Sequence, residues 1–252
     1  ITMAAGMAKE GMIPVLPIYS SFYQRAYDQV IHDIAIQNLP VIMCVDRAGI
    51  VGNDGETHQG LYDLSFFKLI PNIVIMSPKN FKELEDMMEY AVTLNKPVVI
   101  RYPRGGESSV EITSNNELNL GKCEKITTGS DVTIVAIGNM VSKALDISSE
   151  LKKDKINVEV INSRFLKPFD NFGILKSIKK TKFVITIEDG TCIGGLGSTV
   201  KELLVDNNIK DVRLKSYSYP DKFVEHGSVN QLEDRYGFNK LDIIKYIKEN
   251  IK

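Results

Sequence analysis

The chain has 252 residues, with 31 Lys and Arg against 32 Asp and Glu, and a formal net charge of -1. A hydrophobic content of 43% and a charged content of 25% are close to the soluble-globular average, which excludes a disordered chain, a collagen-like repeat and a small disulfide-rich scaffold. The balanced charge also argues against a dedicated nucleic-acid-binding protein, because neutralising phosphates needs a surplus of Lys and Arg.

The length allows one large or two ordinary domains. No apolar run approaches the ~18 residues needed to span a bilayer, so we expect no membrane partner. Cys44, Cys123 and Cys192 lie far apart without metal-binding spacing, which predicts reduced thiols and a cytoplasmic location. Residues 1–6 lack the basic region of a signal peptide and resemble the inside of a small-residue helix, so we expect a piece of a longer protein.

Short apolar runs alternate with longer amphipathic segments in the first half. The apolar runs predict strands at residues 13–19, 41–45, 73–76 and 98–100. Apolar residues at helical spacing predict a helix over residues 21–37, and a second helix is predicted over residues 80–93, just after Pro78.

The alternation pauses in a polar stretch and then resumes. The later segments predict strands at residues 132–137, 158–161, 183–187 and 212–214, and helices at 141–151, 169–178 and 197–205. Strands that alternate with helices predict an α/β protein of two consecutive domains, each a mostly parallel sheet flanked by helices. We place these domains at residues 1–108 and 123–252, with a linker at 109–122.

Candidate functional residues follow the predicted strands, because ligands of open parallel sheets bind beyond the carboxyl ends of the strands. Phe22 comes just after the first strand, where it either stacks on a flat heterocycle or packs on the next helical turn. Arg25, one turn on, either reaches an anion or is solvated.

The loop after the second strand is the most informative stretch, with the sequence DRAGIVGNDGETHQG at residues 46–60. Its glycines allow a close approach of the backbone to a ligand, and Arg47, Asp54 and His58 are suited to anion binding and proton transfer. An ordinary Gly-rich turn with solvated charges is the alternative.

Arg101 and Arg104 follow the fourth strand in the sequence RYPRG. Two guanidinium groups three residues apart indicate either a phosphate or carboxylate clamp or a pair of surface salt bridges. Residues 188–198 are also Gly-rich, but they do not match a dinucleotide-binding fingerprint, and a helix-packing turn is the favoured interpretation. We interpret His226 as a loop or interface residue.

Three of these segments together resemble the 1-deoxy-D-xylulose-5-phosphate synthase family, which belongs to the transketolase-like thiamine diphosphate enzymes. They are YSSFYQRAYDQVIHD at residues 19–33, the 46–60 loop, and RYPRG at residues 101–105. The resemblance extends over the whole chain, with weaker matches at NSRFLKPFD (162–170) and at EDG (188–190) followed by GGLGS (194–198). It implies a pyrimidine-binding domain followed by a transketolase-type C-terminal domain.

The resemblance also implies a reaction: pyruvate condenses with glyceraldehyde 3-phosphate, giving 1-deoxy-D-xylulose 5-phosphate and carbon dioxide for isoprenoid, thiamine and pyridoxal synthesis. The family's pattern assigns cofactor stacking to Phe22, with Arg25 on the cofactor side. It assigns substrate binding to Tyr19, Arg47 and Arg104. By the same resemblance Asp54 and His58 hold substrate and move protons, and Arg101 is structural.

The family's cofactor-activating glutamate and its magnesium-binding motif have no match in this chain. The resemblance therefore implies that thiamine diphosphate and Mg²⁺ belong to the full-length enzyme, with no metal ligands in this chain. We expect a homodimer, a diphosphate-binding domain as partner, and a chain that is inactive alone. The alternatives are a transketolase, a 2-oxoacid dehydrogenase beta-type subunit, or a non-catalytic interaction paralogue.

Overall fold

The computed structural model describes residues 1–106 and 117–251, which form two five-stranded sheets flanked by helices. The predicted linker at 109–122 lies largely outside the described residues. The α/β architecture with two mostly parallel sheets is confirmed.

The first sheet has the strand order β1-β2-β4-β3-β8, and its first four strands are parallel. The five strands are β1 (Val15–Tyr19), β2 (Ile42–Asp46), β3 (Val74–Met76), β4 (Val98–Arg101) and β8 (Phe165–Lys167). The central strands are buried on both faces, as expected of apolar runs in a parallel sheet covered by helices. The four strands predicted in this half are confirmed.

The second sheet has the order β10-β9-β6-β7-β5 and is parallel except for β5. Its strands are β5 (Glu124–Lys125), β6 (Val132–Ala136), β7 (Val158–Asn162), β9 (Phe183–Thr191) and β10 (Arg213–Tyr219). Strands β9 and β10 extend further than the apolar runs predicted, because polar residues at their ends still pair: Tyr219 is in register with Thr191.

Strand β8 was not predicted. It comes from the second half of the chain but pairs antiparallel with β3 in the first sheet, with Met76 opposite Phe165. Its three residues, followed by Pro168, are too few to show the two-residue alternation of a strand. The second half therefore supplies an edge strand to the first sheet.

Helices cover the faces of both sheets. They are α1 (Thr2–Lys9), α2 (Ser20–Tyr23), α3 (Tyr27–Gln29), α4 (Asp63–Lys68), α5 (Phe81–Thr93), α6 (Met140–Lys153), α7 (Asn171–Thr181), α8 (Leu196–Asp206), α9 (Val229–Arg235) and α10 (Lys240–Asn250). The predicted helix over residues 21–37 is broken, since a 3₁₀ turn (Gln24–Ala26) separates α2 from α3 and a π-helical segment (Val30–Ala35) follows. The other predicted helices are confirmed within a few residues at each end.

The helices that the sequence analysis missed are short or polar. The helix α4 has six residues. Both α9 and α10 carry N-terminal caps, at Ser228 and Asn239, and Ser228 forms a capping box with Gln231. These N-terminal caps are the sequence signal from which α9 and α10 could have been predicted. Within the described parts of the chain, none of the helices combines the length and apolarity that a bilayer crossing requires.

A buried ionic cluster connects the two halves of the chain. Glu83, on α5, accepts hydrogen bonds from Arg164 Nε at 2.7 Å and from Asn162 Nδ2 at 3.0 Å. Lys79 Nζ donates to Glu83 at 3.1 Å and to Glu124 on β5 at 2.7 Å. All five residues are buried, so each charge depends on its neighbours for the hydrogen bonds that water would otherwise provide.

Another buried carboxylate organises the turn before α8. Both oxygens of Glu188 accept backbone N–H groups at the start of this helix, from Leu196 at 2.7 Å and from Gly197 at 2.8 Å. A Cβ on Gly195 would lie 2.0 Å from the same carboxylate, so glycine is required there. Burial raises the pKa of Glu188 to about 7 although both hydrogen bonds favour the ionised form. The helix-packing interpretation of residues 188–198 agrees with this geometry.

The ionic cluster predicts a large loss of stability on Glu83→Ala. Removing this carboxylate leaves Arg164 and Lys79 buried with one anion fewer, which typically costs about 3–5 kcal/mol in the free energy of unfolding. Denaturant titration of the chain measures the change. The matched control is Glu85→Ala, at an exposed position of the same helix, which should change stability little. Equal effects of the two variants would contradict a stabilising role for the cluster.

Candidate functional site

The candidate site lies at the carboxyl edge of the first sheet. Strands β1, β2 and β4 are neighbours there, and they end at Tyr19, Asp46 and Arg101. Because parallel strands end at the same edge, segments far apart in sequence emerge side by side. The segment after β1 and the 46–60 loop after β2 contact each other through aromatic side chains.

Arg47 lies on the ring of Tyr19. Its guanidinium carbon is 3.9 Å from the centre of that ring, and Nη1 pairs with the Asp46 carboxylate at 2.5 Å. The backbone of Arg47 is left-handed, with φ of 54°. A non-glycine residue in this region is uncommon, and here it is the turn residue directly after β2.

The Tyr19 ring continues into an aromatic stack that ends at His58. Tyr19 and Phe22 stack with ring centres 5.1 Å apart and an interplanar angle of 14°. Phe22 then contacts the His58 ring edge-on at 5.6 Å. His58 Nδ1 is 2.9 Å from the hydroxyl of Thr57, which leaves the other ring nitrogen for a ligand.

Asp54 and Arg104 form the second part of the site. Arg104 Nη1 donates to Asp54 Oδ1 at 2.7 Å, across fifty residues of sequence, and both side chains are partly exposed. Arg47 and Arg104 line one cavity of about 410 Å³, together with Tyr102. Burial raises the pKa of Tyr102 to about 12, so its phenol is a hydrogen-bond donor in that cavity at neutral pH.

The structure therefore brings the predicted residues together. Arg47 and Arg104 line the same cavity, Asp54 pairs with Arg104, and His58 is joined to Arg47 through Phe22 and Tyr19. Arg25 lies apart from this group, exposed on the 3₁₀ turn that follows α2.

The glycines of the loop serve to close it. Gly49 and Gly60 pair as an antiparallel bridge with two hydrogen bonds of 2.7 Å. A Cβ on Gly60 would lie 2.2 Å from the Arg47 carbonyl oxygen, and one on Gly49 would lie 2.1 Å from Asp189 Oδ2. These two glycines are needed for close packing of the loop against itself and against β9, and not for an approach to a ligand.

The second half of the chain supports the loop from outside. The buried Gln59 side chain donates to the Glu225 carbonyl at 3.1 Å and accepts from the backbone of Val51 at 2.9 Å. Gly227 N–H donates to the Gly52 carbonyl at 3.4 Å. Sequence analysis missed this support, because a glutamine and a coil segment carry no periodic signal. His226 lies in the same exposed coil, in agreement with its interpretation as a loop residue.

Arg101 is not part of an open clamp. It is buried and donates from Nε to Asp63 at 2.9 Å and from Nη1 to Asp189, on β9, at 2.7 Å. These pairs fix the end of β4, three residues before Arg104. Burial raises the pKa of Asp63, while the adjacent Arg101 opposes that change.

The site fits a flat heterocycle better than a metal ion. The Phe22 side chain is 45% exposed and contacts the His58 ring, so an aromatic surface is open to a ligand. Among residues 1–106 and 117–251, no group of three or more His, Cys, Asp and Glu side chains is arranged to hold a metal ion.

Comparison with known proteins identifies both parts of the chain. A family model described as "Transketolase, pyrimidine binding domain" matches residues 1–106. A second, described as "Transketolase, C-terminal domain", matches residues 121–243.

Curated relatives match nearly the whole chain. Proteins named 1-deoxy-D-xylulose-5-phosphate synthase from Halothermothrix orenii and from Caldanaerobacter subterraneus subsp. tengcongensis are each 47% identical, over 97% and 100% of this chain. The chain spans only 39% and 40% of the length of these two relatives.

Solved structures share the fold. A chain titled "Split gene transketolase, inactive beta4 tetramer" is 30% identical with a TM-score of 0.88, and the match covers 98% of this chain and 79% of that one. A transketolase from Campylobacter jejuni has a TM-score of 0.79 at 18% identity, over 98% of this chain and 37% of that one. The chain belongs to the transketolase family, of which it carries the pyrimidine-binding and C-terminal domains.

Proposed function

We propose that this chain forms part of a thiamine-diphosphate-dependent transferase that condenses pyruvate with glyceraldehyde 3-phosphate. The product is 1-deoxy-D-xylulose 5-phosphate, with release of carbon dioxide, and it feeds isoprenoid, thiamine and pyridoxal synthesis. The observation that carries the proposal is the cavity shared by Arg47 and Arg104, with Asp54 paired to Arg104 and His58 joined to Arg47 through Phe22 and Tyr19. The 47% identity to proteins named as this synthase supports it.

The two guanidinium groups suit a phosphorylated acceptor. Guanidinium binds phosphate through pairs of charge-assisted hydrogen bonds, so a phosphate monoester would compete with Asp46 and Asp54 for these two groups. Arg47 is held by Asp46 and by the Tyr19 ring, and Arg104 is held by Asp54. In this proposal Tyr19, Arg47 and Arg104 bind substrate.

His58 and Asp54 are the groups in the proposed site that transfer protons. An imidazole with one nitrogen hydrogen-bonded to Thr57 keeps the other nitrogen for giving or accepting a proton. Asp54 positions Arg104 and can accept a hydrogen bond from a substrate hydroxyl with its remaining lone pairs.

The half-exposed ring of Phe22 would contact the cofactor, with Arg25 towards its outer side. Thiamine diphosphate supplies the carbon nucleophile that pyruvate chemistry requires. We propose that its diphosphate and Mg²⁺ are bound by a diphosphate-binding domain, that this domain is a necessary partner, and that the assembly is a homodimer in the cytoplasm.

We also propose the division of the chain into domains at residues 1–108 and 123–252, with a linker at 109–122. The separate family matches to residues 1–106 and 121–243 support it. In this division β8 is an edge strand that the second domain contributes to the first sheet.

Two related activities and one non-catalytic role are the competing functions. A transketolase uses sugar phosphates as donors, and a 2-oxoacid dehydrogenase beta-type subunit has less use for an arginine pair. The synthase is favoured because the relatives that bear its name are 47% identical, against 30% for the split-gene transketolase chain. A non-catalytic interaction paralogue has no physical need for two arginines on one cavity with a carboxylate paired to one of them.

The proposal predicts activity that depends on a partner domain. The chain is mixed with the part of the Halothermothrix orenii relative that it does not match, and thiamine diphosphate, Mg²⁺, pyruvate and glyceraldehyde 3-phosphate are added. Mass spectrometry should detect 1-deoxy-D-xylulose 5-phosphate from the mixture and from neither part alone, and calorimetry should detect no tight cofactor binding by the isolated chain.

Two results of this experiment would contradict the proposal. Product formation by the isolated chain would remove the need for a partner. A mixture that binds cofactor and converts xylulose 5-phosphate with ribose 5-phosphate, but not pyruvate, would assign a transketolase instead.

The arginine pair predicts a specific effect of Arg104→Met on the reconstituted enzyme. Loss of charge-assisted hydrogen bonds worth about 1.5–3 kcal/mol should lower kcat/KM for glyceraldehyde 3-phosphate roughly 10- to 100-fold. The value for unphosphorylated D-glyceraldehyde should change little, because that acceptor lacks the phosphate. Arg213→Met, at the start of β10, is the matched control. Equal losses with both acceptors would refute phosphate binding by Arg104.

A further inference from the structure

Three buried carboxyl groups share one guanidinium group where the two halves of the chain meet. Arg101 donates hydrogen bonds to Asp63 at 2.9 Å and to Asp189 at 2.7 Å. Glu188 precedes Asp189 on β9, and each of these four residues is at most 3% exposed. We call them the Glu188 cluster. If every member were ionised, three negative charges would face one positive charge in the interior, where unbalanced charge is costly.

Glu188 is the member of the cluster that has no counterion. Its two oxygens accept hydrogen bonds from the backbone of Leu196 at 2.7 Å and of Gly197 at 2.8 Å. In the part of the chain that the structure describes, Glu188 forms no ion pair, and Nη2 of Arg101 is buried without a hydrogen-bond partner. Amide groups are neutral, so they stabilise the ionised carboxylate without balancing its charge. A bound proton would balance it.

The elements around β9 do not supply the missing positive charge. Lys143 on α6 pairs with Glu233 on α9, and Lys68 on α4 pairs with Glu202 on α8 at 2.8 Å. Strand β6, which lies beside β9, has no ionisable side chain. Burial raises the pKa of Tyr219, on the neighbouring β10, well above its ordinary value, so this phenol is neutral. Both lysines are therefore already paired, and the cluster keeps its excess of negative charge.

We propose that the Glu188 cluster binds one proton and makes the junction of the two sheets sensitive to pH. Below neutral pH the proton resides on Glu188, and the cluster carries a single excess negative charge. Loss of this proton at higher pH adds a second excess charge and weakens the contact between the sheets. The cluster also adjoins the 46–60 loop, because a Cβ on Gly49 would lie 2.1 Å from Asp189 Oδ2. Proton binding of this kind needs neither a cofactor nor a partner domain.

The stability of the chain should fall as the pH rises towards neutrality. Burial raises the pKa of Glu188 to about 7, although its hydrogen bonds favour the ionised form, and burial raises the pKa of Asp63 as well. The folded chain then holds a proton that the unfolded chain has released. This contribution to stability is fully present below the ordinary glutamate pKa of 4.5 and is lost as the pH rises to about 7. Each retained proton changes the unfolding equilibrium constant by up to about tenfold per pH unit.

Urea unfolding of the chain at about pH 5.5 and about pH 6.5 tests the proton site. Between these two values the unfolding equilibrium constant of the unaltered chain should rise roughly fivefold more than that of Glu188→Gln, which has no titrating group at this position. Glu159→Gln is the matched control. Glu159 is also buried, and although burial alone would raise its pKa, hydrogen bonds from Lys180 and Ser177 lower it. This control should match the pH dependence of the unaltered chain within twofold.

Nuclear magnetic resonance provides a second test, which does not depend on the folding of a variant. The amide resonances of Leu196 and Gly197, which donate to Glu188, should shift together in the unaltered chain with a midpoint between about pH 6 and about pH 8. A midpoint outside this range, or amides that do not titrate, would overturn the proposal. A pH dependence of unfolding within twofold of that of a folded Glu188→Gln variant would also overturn it.

Discussion

The buried ion pairs of Arg101 are the interaction on which the arrangement of the site depends. Arg101 ends a strand of the first sheet, and its guanidinium group joins Asp63 to Asp189 on a strand of the second sheet. Removal of either carboxylate would lower the free energy of unfolding, because it would leave part of the guanidinium charge unpaired in the interior. The ends of two sheets are therefore held in a fixed relation three residues before Arg104.

Other contacts also hold the two halves of the chain together. Strand β8 extends the first sheet, the Lys79–Glu83 cluster joins α5 to the second sheet, and the coil that contains Glu225 supports the 46–60 loop. As a result the candidate site is formed on the first sheet but positioned by the second. This explains how partly exposed side chains such as Asp54 and Arg104 meet in one place although fifty residues separate them.

Much of this architecture follows from local sequence signals. Apolar runs predicted the central strands, because a parallel sheet covered on both faces buries every residue of such strands. Ligands of parallel sheets bind beyond the carboxyl ends of the strands, and this expectation led to Arg47, Asp54, His58 and Arg104. Three features could not be predicted in this way. Strand β8 is too short to show a period, Gln59 acts through a single long-range contact, and the glycines at 49 and 60 are required by packing against distant residues.

Arg101 shows why the sequence pattern alone could not distinguish a clamp from a structural ion pair. Arg101 and Arg104 carry the same side chain and flank the same proline, but one is buried between two carboxylates and the other is about half exposed. The difference arises from Asp189, eighty-eight residues away, which no local pattern connects to either arginine. The resemblance to a known family, and not the charge pattern, distinguished the two in advance.

The most direct test of this account is a double-mutant cycle on Arg101 and Asp189, with the free energy of unfolding measured for the unaltered chain, Arg101→Met, Asp189→Asn and the double variant. A buried, hydrogen-bonded ion pair between the sheets predicts a coupling energy of roughly 2–3 kcal/mol. A coupling energy below about 0.5 kcal/mol, as for independent sites, would contradict the claim that this pair joins the two sheets and positions the site.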